Sequence, residues 1–292
     1  MPGEGALAHR TIAAVMRPID LRRMGTGTAR RIAFLVMVAS AAARSGTATP
    51  EASTSKIDPK ATGILKEMTG FLGRQQNLSV QTEGVMVVVT QDGQKLDVPY
   101  SSRVAVRRPD RLRAERTREA KERAFFYDGK TFTIFGKDGN LFAQAPAPPT
   151  LDQALDAARD KLGIEAPGAD FLYSDAYAGL MDCVTSGTYV GQEMVNGTPV
   201  HHLAFRSKDV DWQVWIETGA RPVPRRYVIT TKDVPGTPDF RVELSNWDFQ
   251  TKLPDDRFAF KPPPGAQKID FLKRPQATGT GGAGEAGKGG GQ

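Results

Sequence analysis

The residues able to do chemistry are few, and their spacing works against them. The three histidines are His9, His201 and His202. His201 and His202 are neighbours in a run that alternates like a strand, so their side chains point to opposite faces. They cannot close together on one metal ion or act as one acid–base pair. One packed imidazole and one solvated imidazole are expected. A single cysteine, Cys183, permits no disulfide within the chain, and it is expected to be a small buried apolar residue. There is no Gly-x-Ser-x-Gly, no Gly-rich phosphate loop and no Cys-x-x-Cys. Carboxylates are plentiful, but no spacing singles out a pair. Asp211 and Glu217 flank a tryptophan-bearing run and are expected to solvate its ends. These residues point away from an enzyme, and nothing among them calls for a metal or another cofactor.

The aromatic residues are more informative. In the run at 211–217, Trp212, Val214 and Ile216 fall on one face of a strand, and Gln213 and Trp215 on the other. Only one of the two tryptophans can therefore face a given cavity. Trp212 is assigned to the core side and Trp215 to an edge or rim. Further aromatics, among them Phe132, Phe135 and Phe142, sit on other predicted strands. The charged run RLRAERTREAKER (111–123) is expected to be the solvated face of a hairpin, with Arg–Glu pairs across the strands. Its other reading is a basic rim meeting an anionic lipid head or a membrane surface.

The elements that must position these residues follow from periodicity. Residues 57–76 read as a helix, with Asp58 as cap, Pro59 in the first turn and Ile64, Leu65, Met68, Phe71 and Leu72 on one face. The period then changes to two. Leu96, Val98, Tyr100, Val104 and Val106 alternate with polar residues along 94–106. Turns at Asp92-Gly93, Asp128-Gly129 and Asp138-Gly139 join consecutive strands into an antiparallel meander. A helix over 150–164 and a shorter helix or two turns over 168–182 interrupt it, and strands resume after Cys183 with a turn at Asn196-Gly197. The sum is an α+β, mainly antiparallel β domain of about eleven strands and three helices.

Both ends differ in composition from the middle. Arg30 and Arg31 precede the apolar run 32–43, which small residues follow. That is the pattern of a signal peptide over 1–48, with Met24 as an alternative start. The run is shorter than the roughly 20 apolar residues that cross a bilayer, so no membrane span is expected in the mature form. The formal charge of the whole chain is +6, but residues 1–48 carry a net +5 and the remainder only +1. The basic balance thus belongs to the leader and gives no support to nucleic-acid binding. Residues 275–292 are Gly-rich without apolar spacing and read as a disordered tail. One domain is left at 49–274.

Several stretches of that domain also carry a likeness. IDPKATGILKEMTGFL, PGADFLYSD, YVGQEMVNGTPVHHLAF, DWQVWIETGARPVPRRYVITTK, NWDF and FKPPPGAQKI together resemble a family of predicted periplasmic proteins, domain of unknown function 2092. That family is in turn similar to the lipoprotein carriers of the LolA/LolB-like superfamily. The resemblance implies an open, curved β half-barrel whose concave face is covered by helices, enclosing an apolar cavity for acyl chains. It implies a periplasmic, non-catalytic protein that holds lipid or an acylated protein. Phe132, Phe135, Phe171, Leu172, Leu180, Met181 and Trp212 are the candidate cavity residues. The alternative is an envelope interaction or sensor module that uses the same fold without a ligand and binds a protein partner.

Overall fold

The computed structural model describes residues 57–118, 121–164 and 166–271. The signal peptide expected at 1–48 and the tail at 275–292 lie outside the described residues.

Helix α1 (Pro59–Gly73) starts where Asp58 accepts a hydrogen bond from the Lys60 backbone N–H, with Pro59 supplying a pre-set φ. Its apolar stripe then buries Leu65, Met68 and Leu72. Six strands follow as a meander: β1 (Asn77–Val89), β2 (Lys95–Arg107), β3 (Arg111–Arg118), β4 (Lys121–Tyr127), β5 (Thr131–Gly136) and β6 (Leu141–Pro146). Helix α2 (Leu151–Leu162) interrupts them. Its cap is Thr150, which accepts from the Gln153 N–H, and its end is Gly163 in the left-handed region at φ 64°. A 3₁₀ turn (Ala169–Leu172) and the short helix α3 (Ala176–Met181) complete the insertion. Of the two readings of 168–182, a shorter helix or two turns, the structure takes two pieces, parted by an extended Tyr173.

The second meander is β7 (Val184–Val195), β8 (Thr198–Ser207), β9 (Val210–Glu217), β10 (Pro224–Thr231) and β11 (Asp239–Asp248). Pairing of β11 with β1 joins the two meanders, and a two-residue β12 (Gln267–Lys268) adds to β6 in parallel. The result is one open sheet in the order β12-β6-β5-β4-β3-β2-β1-β11-β10-β9-β8-β7. Twelve strands stand where about eleven were expected, the extra one being this short closing strand.

The helices lie on one face of the sheet, the inner face. Over β7–β11, α1 and α3 form a continuous core with Trp212, Phe205, Tyr227 and Leu203. Over β1–β5, α2 packs on Val106, Leu112, Tyr127 and Phe132. The outer face is covered differently. After β11 the chain crosses it as a strap, burying Phe258 completely and Leu253 beside Ala105 of β2. Phe260 then sets its ring 5.4, 5.3 and 5.1 Å from those of Phe126, Phe135 and Phe142.

Candidate ligand cavity

Between the inner face of β1–β5 and β11 and the roof formed by α2 with residues 163–164 and 166–173 lies a cavity of about 510 Å³. That is within the range of pockets that take small organic ligands, roughly 300–1,000 Å³. Register explains its floor. Val80 pairs with Val104, Val104 with Ala114, Ala114 with Phe125 and Phe125 with Ile134, so one row of apolar side chains runs straight across five strands. All five line the cavity. Phe171 and Leu172 descend from the 3₁₀ turn, and Phe171 meets the Tyr227 ring edge-on at 4.8 Å.

The roof is pinned by polar contacts at its solvent side. Tyr173 donates its hydroxyl proton to Asp156 Oδ1 at 2.9 Å, and the Arg159 guanidinium reaches the same oxygen at 2.9 Å. Burial, then the Asp156 hydrogen bond, raise the Tyr173 phenol above its ordinary range, so it stays protonated and donates. Asp152 accepts from the Ser174 backbone N–H at 3.0 Å and from the Ser174 hydroxyl. The 3₁₀ turn is thereby tied to α2.

Polar side chains gather along the adjoining row of the floor. Thr82, Ser102, Arg116 and Arg123 pair in sequence across β1–β4 and all border the cavity. The charged run therefore divides by face. Arg113 and Glu115 point outward and bind each other at 2.5 Å along their own strand, while Arg116 and Arg123 point inward and stand opposite one another. Among the described residues of the hairpin no Arg stands directly opposite a Glu: Glu115 faces Ala124 and Thr117 faces Glu122.

The seven candidate cavity residues scatter. Phe171 and Leu172 line the cavity. Phe132 is on the inner face but packed under α2, its ring 5.6 Å from that of Tyr127. Phe135 is on the outer face, since Ile134 beside it points in and a strand has a period of two. Leu180, Met181 and Trp212 belong to the core filled by α1, where Trp212 stacks on Phe205 at 4.2 Å. Residues not singled out from sequence do border it, chiefly Val104, Leu112, Phe125 and Ile134. Their alternation was visible; which half of the sheet stays unfilled was not.

Other expectations also change. Trp215 is no rim residue. It is 7% exposed on the outer face of β9, a strand inside the sheet, and stacks on His202 at 4.0 Å. Its indole N–H donates to Glu193 at 2.8 Å, and the same carboxylate meets His202 Nδ1 at 2.8 Å. His202 is buried, and His201, on the inner face, is half-buried beside the Tyr189 hydroxyl at 3.2 Å. Burial, then Lys60, depress the His201 imidazole below its ordinary value. Cys183 is exposed, at φ 62°, in the turn after α3. Among the described residues no group of three or more His, Cys, Asp and Glu side chains is placed to hold a metal.

A family model described as "Predicted periplasmic protein (DUF2092)" matches residues 61–272. The chain belongs to this family. No curated protein sequence matches it. Among solved structures, DUF2092 chain residues superpose on an uncharacterised conserved protein from Thermus thermophilus at 13% identity and TM-score 0.42, covering 72% of this chain and 99% of that one. They superpose on the Mycobacterium tuberculosis lipoprotein LppX at 13% identity and TM-score 0.41, covering 67% and 98%. A LolA superfamily protein from Nitrosomonas europaea matches at 12% identity and TM-score 0.32, covering 68% and 97%. No helix among the described residues is long and apolar enough to cross a membrane.

Proposed function

We propose that this DUF2092 protein is a periplasmic, non-catalytic binding protein that holds lipid, or the acyl chains of a lipoprotein, in the cavity beneath α2. Residues 1–48 serve as its cleavable signal peptide, and residues 49–274 form the binding domain. The observation that supports the reading most is the row Val80, Val104, Ala114, Phe125 and Ile134 flooring an unfilled space of about 510 Å³. A row of apolar side chains left facing space would pack against a helix if filling were its purpose, as the neighbouring row does under α2. An acyl chain gains roughly 0.8 kcal/mol per CH₂ buried. Binding of this kind needs orientation and exclusion of water, with no reacting side chain.

The test is native mass spectrometry of the protein purified from the periplasm without detergent, with organic extraction of what co-purifies. A lipid or acylated protein near one-to-one is expected. Ala114→Phe, which sets a ring on the floor, is expected to empty the cavity while the melting temperature is kept. Protein that carries nothing and takes up no fatty-acyl probe would leave the envelope interaction module as the better account.

A further inference from the structure

The cavity has a charged end as well as an apolar floor, and the two are adjacent rows of one sheet. The floor row ends at the polar row Thr82–Ser102–Arg116–Arg123. Arg116 and Arg123 are directly opposed across β3 and β4, an arrangement of like charges that opposes strand pairing. Two other arginines of β3 are neutralised: Arg111 by Asp110 at 2.7 Å and Arg113 by Glu115 at 2.5 Å. Neither Arg116 nor Arg123 forms an ion pair with a described carboxylate.

Arg116 is half-buried, its guanidinium 4.0 Å from the centre of the Tyr100 ring, which buries nine-tenths of its own surface. Tyr100 is seated there because Gly84 leaves room: a Cβ at Gly84 would come within 2.6 Å of its hydroxyl. Desolvation presses on the Arg116 charge, Tyr100 eases it and Arg118 adds to the pressure. A guanidinium stays charged through such a shift, so it retains an unmet demand for an anion. The third arginine bordering the cavity, Arg159, is already occupied by Asp156 and Asp160, each at 2.9 Å.

We infer that the ligand is an anionic amphiphile, its carboxylate or phosphate head held by Arg116 and Arg123 and its chain laid along Val104, Phe125 and Ile134. The inference rests on the reading that the cavity takes acyl chains, and it names their head group. Guanidinium forks offer paired N–H donors that match the oxygens of either anion. Ser102, in register between Thr82 and Arg116, adds a hydroxyl at the same end. The head would supply the negative charge that the opposed arginines lack.

The test compares three ligands of one chain length by calorimetry: dodecanoate, dodecyl phosphate and dodecanol. At least one anion is expected to bind about tenfold more tightly than dodecanol, the worth of one charge-assisted hydrogen bond. The double variant R116Q/R123Q is expected to abolish that difference. Preference for dodecanoate would point to a free fatty acid, and preference for dodecyl phosphate to a phospholipid. Equal binding of all three to the unaltered protein overturns the inference and leaves the carrier reading standing. Binding of none of them sinks the carrier reading itself. The comparison on the unaltered protein needs no variant to fold.

Discussion

Glu193 shows how much one side chain can organise on this sheet. The Trp215 indole and then the His202 ring hold its carboxylate below the ordinary value of 4.5. Trp215 and His202 stack on each other, so the carboxylate fixes the outer ends of both rings. A carboxylate depressed in the folded state contributes stability above its ordinary value, and the contribution disappears as pH falls through the folded value. Glu193→Gln removes that titration. The variant is expected to melt below the unaltered protein at about pH 7, with the gap closing as pH falls below the ordinary value of 4.5 and the native carboxylate is protonated. Melting temperatures measured across that range decide it. A gap that stays constant would show that Glu193 acts through packing and not through charge. At this scale the sequence was partly readable. A strand period of two separates Trp212 from Trp215 and His201 from His202, and the structure keeps both separations. The partner of Trp215 was not readable, because Glu193 lies on another strand, brought near by a register that shifts between Tyr189 and Gly191.

At the scale of elements, α2 and the 3₁₀ turn form a roof that packs on an apolar cluster and is pinned by polar contacts at its solvent side. The side chains that α2 buries are Leu151, Ala154, Ala157 and Ala158, mostly small ones. Its closure leans on Asp156, which joins Tyr173 and Arg159. Tyr173→Phe removes the hydrogen bond donated to Asp156, with the longer one accepted from Arg159 at 3.4 Å, and no carbon from the packing. The loss in stability is expected to be near 1 kcal/mol, the net worth of such a bond. Release of a bound acyl probe is expected to quicken severalfold, since the bond spans the two pieces of the roof. Stopped-flow displacement would measure it. An unchanged release rate with the expected small loss of stability would place ligand exit elsewhere than beneath Tyr173. The helical insertion that makes this roof was legible as Thr150, an apolar stripe and a break at Pro167. Whether 168–182 is one short helix or two turns stays open in the sequence, and the structure divides it because Tyr173 extends the chain and reaches back to α2. Arg116 and Arg123 were visible as charges in a charged run. Only strand register turned them inward while their neighbours Arg113 and Glu115 faced out.

Across the whole molecule, one sheet carries two unequal halves. Over β8–β10 the inner face is filled: Leu65 and Met68 of α1 are fully buried, as are Val214, Ile216 and Ile229 below them. Over β1–β5 α2 covers one row of the inner face, the next row keeps an open volume of about 510 Å³, and the strap with Phe258 and Phe260 packs on the outer face. The same argument explains why Leu180, Met181 and Trp212 looked as suitable for a cavity as Phe171 did. Their apolar character is equal, but α1 had already taken their side of the sheet. Segments with fewer buried apolar contacts open at lower free energy than the global unfolding of the domain. Amide hydrogen exchange of the empty protein is therefore expected to be fastest, among the ordered elements, in α2, the 3₁₀ turn and β4–β6, and slowest in α1 and β8–β10. A ligand that binds only the closed form stabilises it by about 2.7 kcal/mol at a hundredfold excess over Kd. Saturation with an acyl ligand should then slow exchange about a hundredfold in α2 and β3–β5, where opening releases the ligand. Amides in α1 and β8–β10 already exchange through global unfolding, and they should slow only as far as overall stability rises. Equal protection of both halves in the empty protein would mean that the cavity is closed by cooperative packing, and the division of labour between a filled half and a receptive half would fail.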